Sequence, residues 1–470
     1  MSARTIFSHP SLTAEPISVA KTATIIIGLL GTCVVLGYGV SHEPLIAGAL
    51  VAVCLGAILL ALSGVERFAM ILLATLPWLV LLIDLTPALT LTFASAAATL
   101  LLLYLTPLRS EVSITAWIGA SLFLLVVVIQ VIESTTSGQL AEAAKYSLFP
   151  AIALVVSSQT SRRRLVRMRP LLLGSGVVAM AIQAAAIALH LGKTGAYYGA
   201  GEQLGLSPES PHEMALIGVM IAVACLICVP DIRWRVAGAA VAATPALATG
   251  VRSALVALVV SLLVLAIRAR FRPSTVLSIA VIFAVVIFSG VGTIILTRYH
   301  NGQMKGEYSS LSDTGSGRGA ILPTLLKQWS TGGPVRVAIG TSRQSIELSD
   351  QQIFGNTVTA QSDLVETLVE LGLLGLFAWL LIWLAIVRSG ISWLVLLPLF
   401  SYALTNGSLQ YVGAVVYGIA LAGACTPASR LNGSAEGRVV RRDTHLSRRA
   451  ERQLCSTSQS SVAHSSLPRH

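Results

Sequence analysis

Apolar runs of similar length, broken by short polar turns, recur from residue 22 to residue 425. Runs such as TATIIIGLLGTCVVLGYGV (22–40) and TVLSIAVIFAVVIFSGVGTIIL (275–296) reach the roughly 20 residues that cross a bilayer as a helix. About fourteen such segments are predicted, at 22–40, 45–63, 68–84, 88–105, 114–132, 141–158, 171–191, 213–230, 236–250, 253–268, 274–296, 364–387, 391–405 and 408–425. Segment 141–158 holds Lys145 and Pro150, and 236–250 is short, so either reads equally as re-entrant. The first run lacks a small-residue cleavage site and reads as an anchor. The pattern predicts an all-α polytopic membrane protein, about 12–14 transmembrane helices with one large external loop carrying short helices.

That loop is the one long polar interval, residues 297–360. Interruptions of this length in a compact protein are usually functional or disordered. Inside it, Ile321, Leu322, Leu325, Leu326 and Trp329 recur at helical spacing, with Pro323 tolerable near a helix start. A short amphipathic helix on the outer surface is expected there. The chain thus divides into a cytoplasmic N-terminus (1–21), about eleven spans (22–296), the loop (297–360), about three spans (361–425) and a tail (426–470).

Composition agrees, with 54% hydrophobic and 11% charged residues, outside the range of soluble domains. Charge placement gives an orientation. Arg4, Lys21, Arg67, Arg109, the 162–169 arginines, Arg233, Arg235, Arg268, Arg270, Arg272, Arg388 and eight tail arginines fall in alternate loops, 23 of the 32 Lys and Arg. Turns on the other side, such as SHEP (41–44) and TNGS (405–408), carry no cations. The positive-inside rule then places both termini in the cytoplasm and the long loop outside. This asymmetry accounts for the net charge of +11 without a nucleic-acid partner. The Ser- and Arg-rich tail has too little apolar content to fold and is expected to lie on anionic membrane lipids.

Cys225 and Cys228 form a CxxC inside an apolar run without neighbouring ligands in sequence, and read as small buried hydrophobes. No P-loop, dinucleotide-binding glycine fingerprint, HExxH or nucleophile elbow occurs. No cofactor and no metal are expected.

Three regions carry candidate chemistry. Arg252 opens an apolar segment at its outer mouth, where a charge must find an anion, carbonyls or water; a snorkelling arginine and a phosphate ligand are both open. In SGRGAILPTLLKQWSTGGPVRVAIGTSRQ (316–344), Arg318 precedes the amphipathic helix, and Arg336 and Arg343 follow in glycine-rich turns. Outward arginines depart from the positive-inside pattern, and a helix N-terminus already favours anions; solvated loop cations are the plain alternative. In AQSDLVETLVELGLLGL (360–376), Asp363, Glu366 and Glu370 fall at i, i+3 and i+7 of one helix face. Such a stripe faces a water-filled cavity or another helix. Salt bridging is its structural account, and close packing is that of Gly372 and Gly375.

This combination resembles the O-antigen ligase and Wzy-type polymerase superfamily over about residues 236–390. The family's last motif reads His-(Asn/Ser/Gln)-x9-Gly-x2-(Gly/Thr/Tyr); Ser362, Gly372 and Gly375 match it, with Gln361 in the histidine place. Its Arg-x3-Leu motif is met by Arg252, with Val256 for leucine and Val251 for the preceding serine, and Arg318 matches the loop arginine of the SGR element. The resemblance implies a metal-independent glycosyltransferase of the bacterial cytoplasmic membrane that moves a polyprenyl-pyrophosphate-linked oligosaccharide onto an acceptor sugar outside. Arg252 and Arg318, with Arg336 and Arg343, would hold the pyrophosphate. Gln361 accepts hydrogen bonds but takes no proton, which leaves Asp363, Glu366 or Glu370 as base, or Gln361 with Ser362 as positioning groups. A polysaccharide flippase and a chain-length regulator are the implied partners. Polymerase is favoured over ligase by the missing histidine and by an arginine bias of 27 to 5 over lysine. A multi-pass transporter and a non-catalytic assembly protein are the alternatives.

Overall fold

The computed structural model describes residues 71–81 (except 72 and 79), 112–133, 137–189, 194–195, 202–203, 211–249, 251–268, 318–341, 362–405, 407 and 411–427. Predicted spans 22–40, 45–63, 88–105 and 274–296, the N-terminus, most of the external loop and nearly all of the tail lie outside these residues. The described chain is helical apart from one antiparallel pairing of two residues each, Thr194–Gly195 with Glu202–Gln203. Residues 71–81 are helical. Beyond them run α1 (Ile114–Glu133), α2 (Ser137–Ser157), α3 (Gln159–Arg167), α4 (Arg169–Ala188), α5 (Pro211–Cys228) and α6 (Ile232–Thr249). These are followed by α7 (Arg252–Arg268), α8 (Arg318–Thr331), α9 (Gly333–Ile339), α10 (Asp363–Arg388), α11 (Trp393–Thr405) and α12 (Val412–Ala424).

The apolar runs set where these helices lie, and a few local signals set their ends. Segments 114–132, 171–191 and 364–387 coincide with α1, α4 and α10 to within three residues at each end. The two segments left open as re-entrant are helices, α2 and α6, with Pro150 and Pro245 inside them. Between α2 and α4, the arginine-rich stretch forms a separate helix, α3, whose N-cap Ser158 accepts the Ser161 N–H. Pro170 then starts α4 in the first turn, where a missing N–H does no harm.

Helices pack lengthwise, and small residues set the distances. Gly218 of α5 lies against the Ala242 carbonyl of α6, and Gly119 of α1 against Leu381 and Ile382 of α10. Three tyrosines are wholly buried, Tyr146, Tyr402 and Tyr417. Their hydroxyls find acceptors, as buried polar groups must: Tyr417 donates to the Leu172 carbonyl (2.8 Å) and Tyr402 to the His212 carbonyl (3.0 Å).

The two ends of the bundle differ chemically. At one end Arg162 donates to the Ser389 carbonyl and Arg268 lies 5.4 Å over the Trp393 ring. The Ser392 N–H donates to the Ala422 carbonyl there, tying the start of α11 to the end of α12. At the other end Glu213 of α5 accepts the Ala414 N–H of α12 at 3.0 Å, which supplies an acceptor to an otherwise orphaned helix start. His212 stacks on Tyr411 beside it. Because Arg268 closes α7 at the basic end, Arg252 begins that helix at the opposite one.

Two described helices, Arg169–Ala188 and Asp363–Arg388, are long and apolar enough to cross a membrane by length and composition. Shorter apolar helices accompany them, at Ile114–Gln130, His212–Cys228, Ser253–Arg268 and elsewhere. Outward faces are apolar too: Ile114, Ile118, Leu125, Val128 and Ile132 are exposed along α1, and Leu373, Phe377, Leu380, Leu384 and Val387 along α10. Stripes of this length are unusual on a soluble monomer.

Candidate functional site in the first half of helix α10

Helix α10 opens at Ser362, whose backbone is extended (φ −157°, ψ 118°) and whose carbonyl accepts the Glu366 N–H at 2.9 Å. The serine side chain makes no capping bond. Asp363 and Glu366 occupy the first turn, where carboxylates are stabilised by the positive end of the helix. Asp363, Glu366, Thr367 and Glu370 are 0%, 4%, 1% and 3% exposed. At 100° per residue these four fall within about a third of the helix circumference, so the stripe read from the sequence is a buried face. Thr367 belongs to it and was not singled out by spacing of charges alone.

That face is turned toward α1 and α2, against which α10 packs. Tyr146 of α2 donates its hydroxyl to Glu366 Oε1 at 2.6 Å, a short bond between two buried groups. Gln130 of α1 donates its side-chain amide to the Glu370 carbonyl, and more weakly to the Ile339 carbonyl at 3.3 Å. Neither residue belonged to the sequence-derived set. A lone glutamine near the end of an apolar run was the available signal for Gln130; nothing local marks Tyr146. We expect Tyr146→Phe to destabilise the protein by about 1–3 kcal/mol, the cost of removing one partner of a buried hydrogen bond, in denaturant titrations followed by tryptophan fluorescence. An unchanged transition would contradict the contact.

Two turns in, α10 breaks. Gly372 adopts φ 68°, ψ −171°, a conformation essentially confined to glycine. The break removes the N–H donors that a continuous helix would bring to the Val369 and Glu370 carbonyls. Both are taken up from outside the helix. Thr341 donates its backbone N–H and its hydroxyl to Val369, each at 3.1 Å, and Gln130 serves Glu370. The donor segment follows α9, whose C-cap Gly340 also has positive φ (89°). The two backbones cross so closely that a Cβ at Gly340 would run into the Glu370 carbonyl and one at Gly372 into the Ala338 carbonyl. Gly372, expected as a close-packing glycine, does pack closely, against the backbone of Ala338 and Gly340, and is also the point where α10 breaks.

The remaining candidates take these places. Arg252 and Arg318 are the first residues of α7 and α8. The predicted amphipathic helix is α8, with Leu325 buried, Pro323 and Leu326 exposed, and α8 and α9 packing on α10. Arg336 is exposed on α9, its side chain folded back along Gly332. Gln361 and Arg343 lie outside the described residues. Among the described residues, no group of three or more His, Cys, Asp or Glu is arranged to hold a metal ion.

No protein-family model matches the chain, and no curated protein sequence matches it. The site is therefore read from its own residues: a buried acidic face on a broken helix, supplied with donors from two neighbouring helices and clasped by the loop arm.

Proposed function

We propose that this is a polytopic membrane glycosyltransferase of the polysaccharide polymerase type, acting on the outer face of a bacterial cytoplasmic membrane. Its substrates are a glycan on a polyprenyl pyrophosphate and an acceptor sugar. The observation that carries the reading is the segregation of the bundle. The start of α7 and the first half of α10, on which the arm α8–α9 packs, lie away from the end where Arg162 and Arg268 are tied down. By the positive-inside rule a cationic end belongs to the cytoplasmic side, which supports a reading with the resemblance-bearing elements outside.

In this reading the acceptor hydroxyl attacks the anomeric carbon of the donor as the glycosidic carbon–oxygen bond to pyrophosphate breaks. The bonding electrons leave on the lipid pyrophosphate. Arg252 and Arg318 neutralise that charge, assisted by Arg343 and Arg336 from the loop. The acceptor proton passes to a carboxylate at the head of α10, Asp363 or Glu370, while Gln361 and Ser362 orient the hydroxyl. Glu366 is engaged by Tyr146 and serves to hold the stripe.

A second reading, a transporter, is favoured by the break in α10, since transporters build substrate sites at discontinuous helices. Here, however, the freed carbonyls are already held by Thr341 and Gln130, which leaves the break closed. The purified protein in liposomes, given a single lipid-linked oligosaccharide repeat, separates the two. A ladder of longer lipid-linked glycans is expected. Donor movement between leaflets without lengthening would establish transport instead, and neither activity would remove both readings.

A further inference from the structure

The basic end of the bundle carries a charged surface that the site above does not use. Helix α3, QTSRRRLVR, is oriented by its buried side. Ser161 and Leu165 are at most 1% exposed, and Arg162 is committed to the Ser389 carbonyl at the end of α10. On the opposite side Arg163 and Arg167 are exposed, four residues apart and therefore neighbours on the helix surface. No Asp or Glu occurs between Glu142 and Glu202, so this stretch of chain brings positive charge only.

What lies next to the two arginines decides their partner. Met168 alone separates α3 from α4, and helical hydrogen bonds run through it. Its N–H donates to the Arg164 carbonyl at 3.1 Å, and its carbonyl accepts the Leu172 N–H at 3.0 Å. The exposed face of α3 therefore continues along α4. There it turns apolar, with Leu171, Val178 and Ile182 exposed at 41%, 49% and 39%. Gly174 sits among them with nothing within 4 Å of where a Cβ would stand, which leaves a notch in the strip. Positions 171, 174, 178 and 182 share one helix face, on a helix long and apolar enough to cross a membrane.

We propose that this face holds an anionic phospholipid, its phosphate at Arg163 and Arg167 and an acyl chain along Leu171, Gly174, Val178 and Ile182. The inference rests on the membrane part of the reading above and not on glycosyl transfer. An amphiphile matches both halves of the face, whereas a free phosphate would use the arginines alone. Guanidinium groups meet phosphate oxygens with two parallel donors. Each basic residue near a membrane surface raises the affinity for anionic lipid about fivefold. A tryptophan marks the same depth. Helix α5 runs from the Glu213 end to the basic end, so α6 begins there, and its Trp234 is 73% exposed, the placement favoured for this side chain at a membrane–water interface. Because Arg162 of α3 is bonded to the end of α10, a lipid held on α3 would brace the cytoplasmic end of the helix that carries the acidic face.

The full-length protein in nonionic detergent is titrated with phosphatidylglycerol or phosphatidylcholine, and bound lipids are counted by native mass spectrometry. Phosphatidylglycerol should be retained well above phosphatidylcholine, with affinity falling roughly 25-fold in the Arg163→Gln/Arg167→Gln double variant. Both positions are exposed, so the buried side of α3 is left intact. The basic tail is present in both proteins, and the difference between them therefore reports α3. Equal retention of the two lipids by the wild-type protein would overturn the proposal without recourse to any variant. An unchanged phosphatidylglycerol affinity in the double variant would also end it, as would sn-glycerol 3-phosphate binding as tightly as the lipid, which would leave a plain anion site. Release of the protein from native vesicles by alkaline carbonate would remove the membrane reading beneath it.

Discussion

Gly372→Ala is expected to cost roughly 2–6 kcal/mol of stability, combining about 1–3 for the forbidden backbone region with about 1–3 for overlap in a packed site. The alanine methyl group would enter the space of the Ala338 carbonyl and Gly340 nitrogen. Relief would require either a continuous α10 or withdrawal of α9. A continuous helix would take back the Val369 and Glu370 carbonyls and leave the Thr341 and Gln130 donors without them, a loss of about 1 kcal/mol or more for each buried group. Thermal unfolding in detergent, followed by tryptophan fluorescence, reads this directly. Gly174→Ala is the matched control. It lies inside α4 with open space around it, and is expected to stabilise by about 0.5–1 kcal/mol through helix propensity. If the two variants unfold alike, the break at Gly372 is not as described.

The largest effect on activity is expected from the arginines. Under the glycosyltransferase reading, Arg252→Ala and Arg318→Ala each remove a group that meets charge developing on the leaving pyrophosphate, a loss of about 10²–10³ in turnover per group. In cells, long glycan chains should disappear and single lipid-linked repeats accumulate, with protein levels unchanged on immunoblots. Arg318→Lys keeps the charge but not the two-pronged donor geometry, so chain lengths between those of wild type and alanine are expected. An unchanged size distribution in the double alanine variant would end this reading. Reporter fusions that map the 297–360 segment to the cytosol would do the same.

Much of the helical layout was legible in the sequence because an apolar run of sufficient length has few other options. The start of α10 was read to within one residue and α8 was found from five apolar positions. The acidic stripe was also legible, since i, i+3 and i+7 is a local pattern. What the chain does not advertise locally is the partner of each polar group. Tyr146 and Glu366 are separated by 220 positions and Gln130 and Glu370 by 240, and such pairings depend on which helices become neighbours. α3 was counted only as one of the basic loops, because its four arginines interrupt the apolar pattern, whereas Ser158 caps it and Leu165 is buried. Gly372 shows the same limit: a glycine in an apolar run marks close approach, which the Ala338 and Gly340 backbone supplies, but nothing local marks the helix break that accompanies it.

The Gln130 amide has a consequence for biosynthesis. While the ribosome is still translating the intervening 240 residues, α1 cannot dock on α10, and an amide meant for the Glu370 carbonyl must be accommodated by other means in the emerging chain. Because loop closure over such a distance precedes any reward from the contact, docking of α1 on α10 belongs among the late events of assembly. Nascent chains released before Glu370 would keep that polar group without its intended acceptor, a feature that membrane quality control could detect.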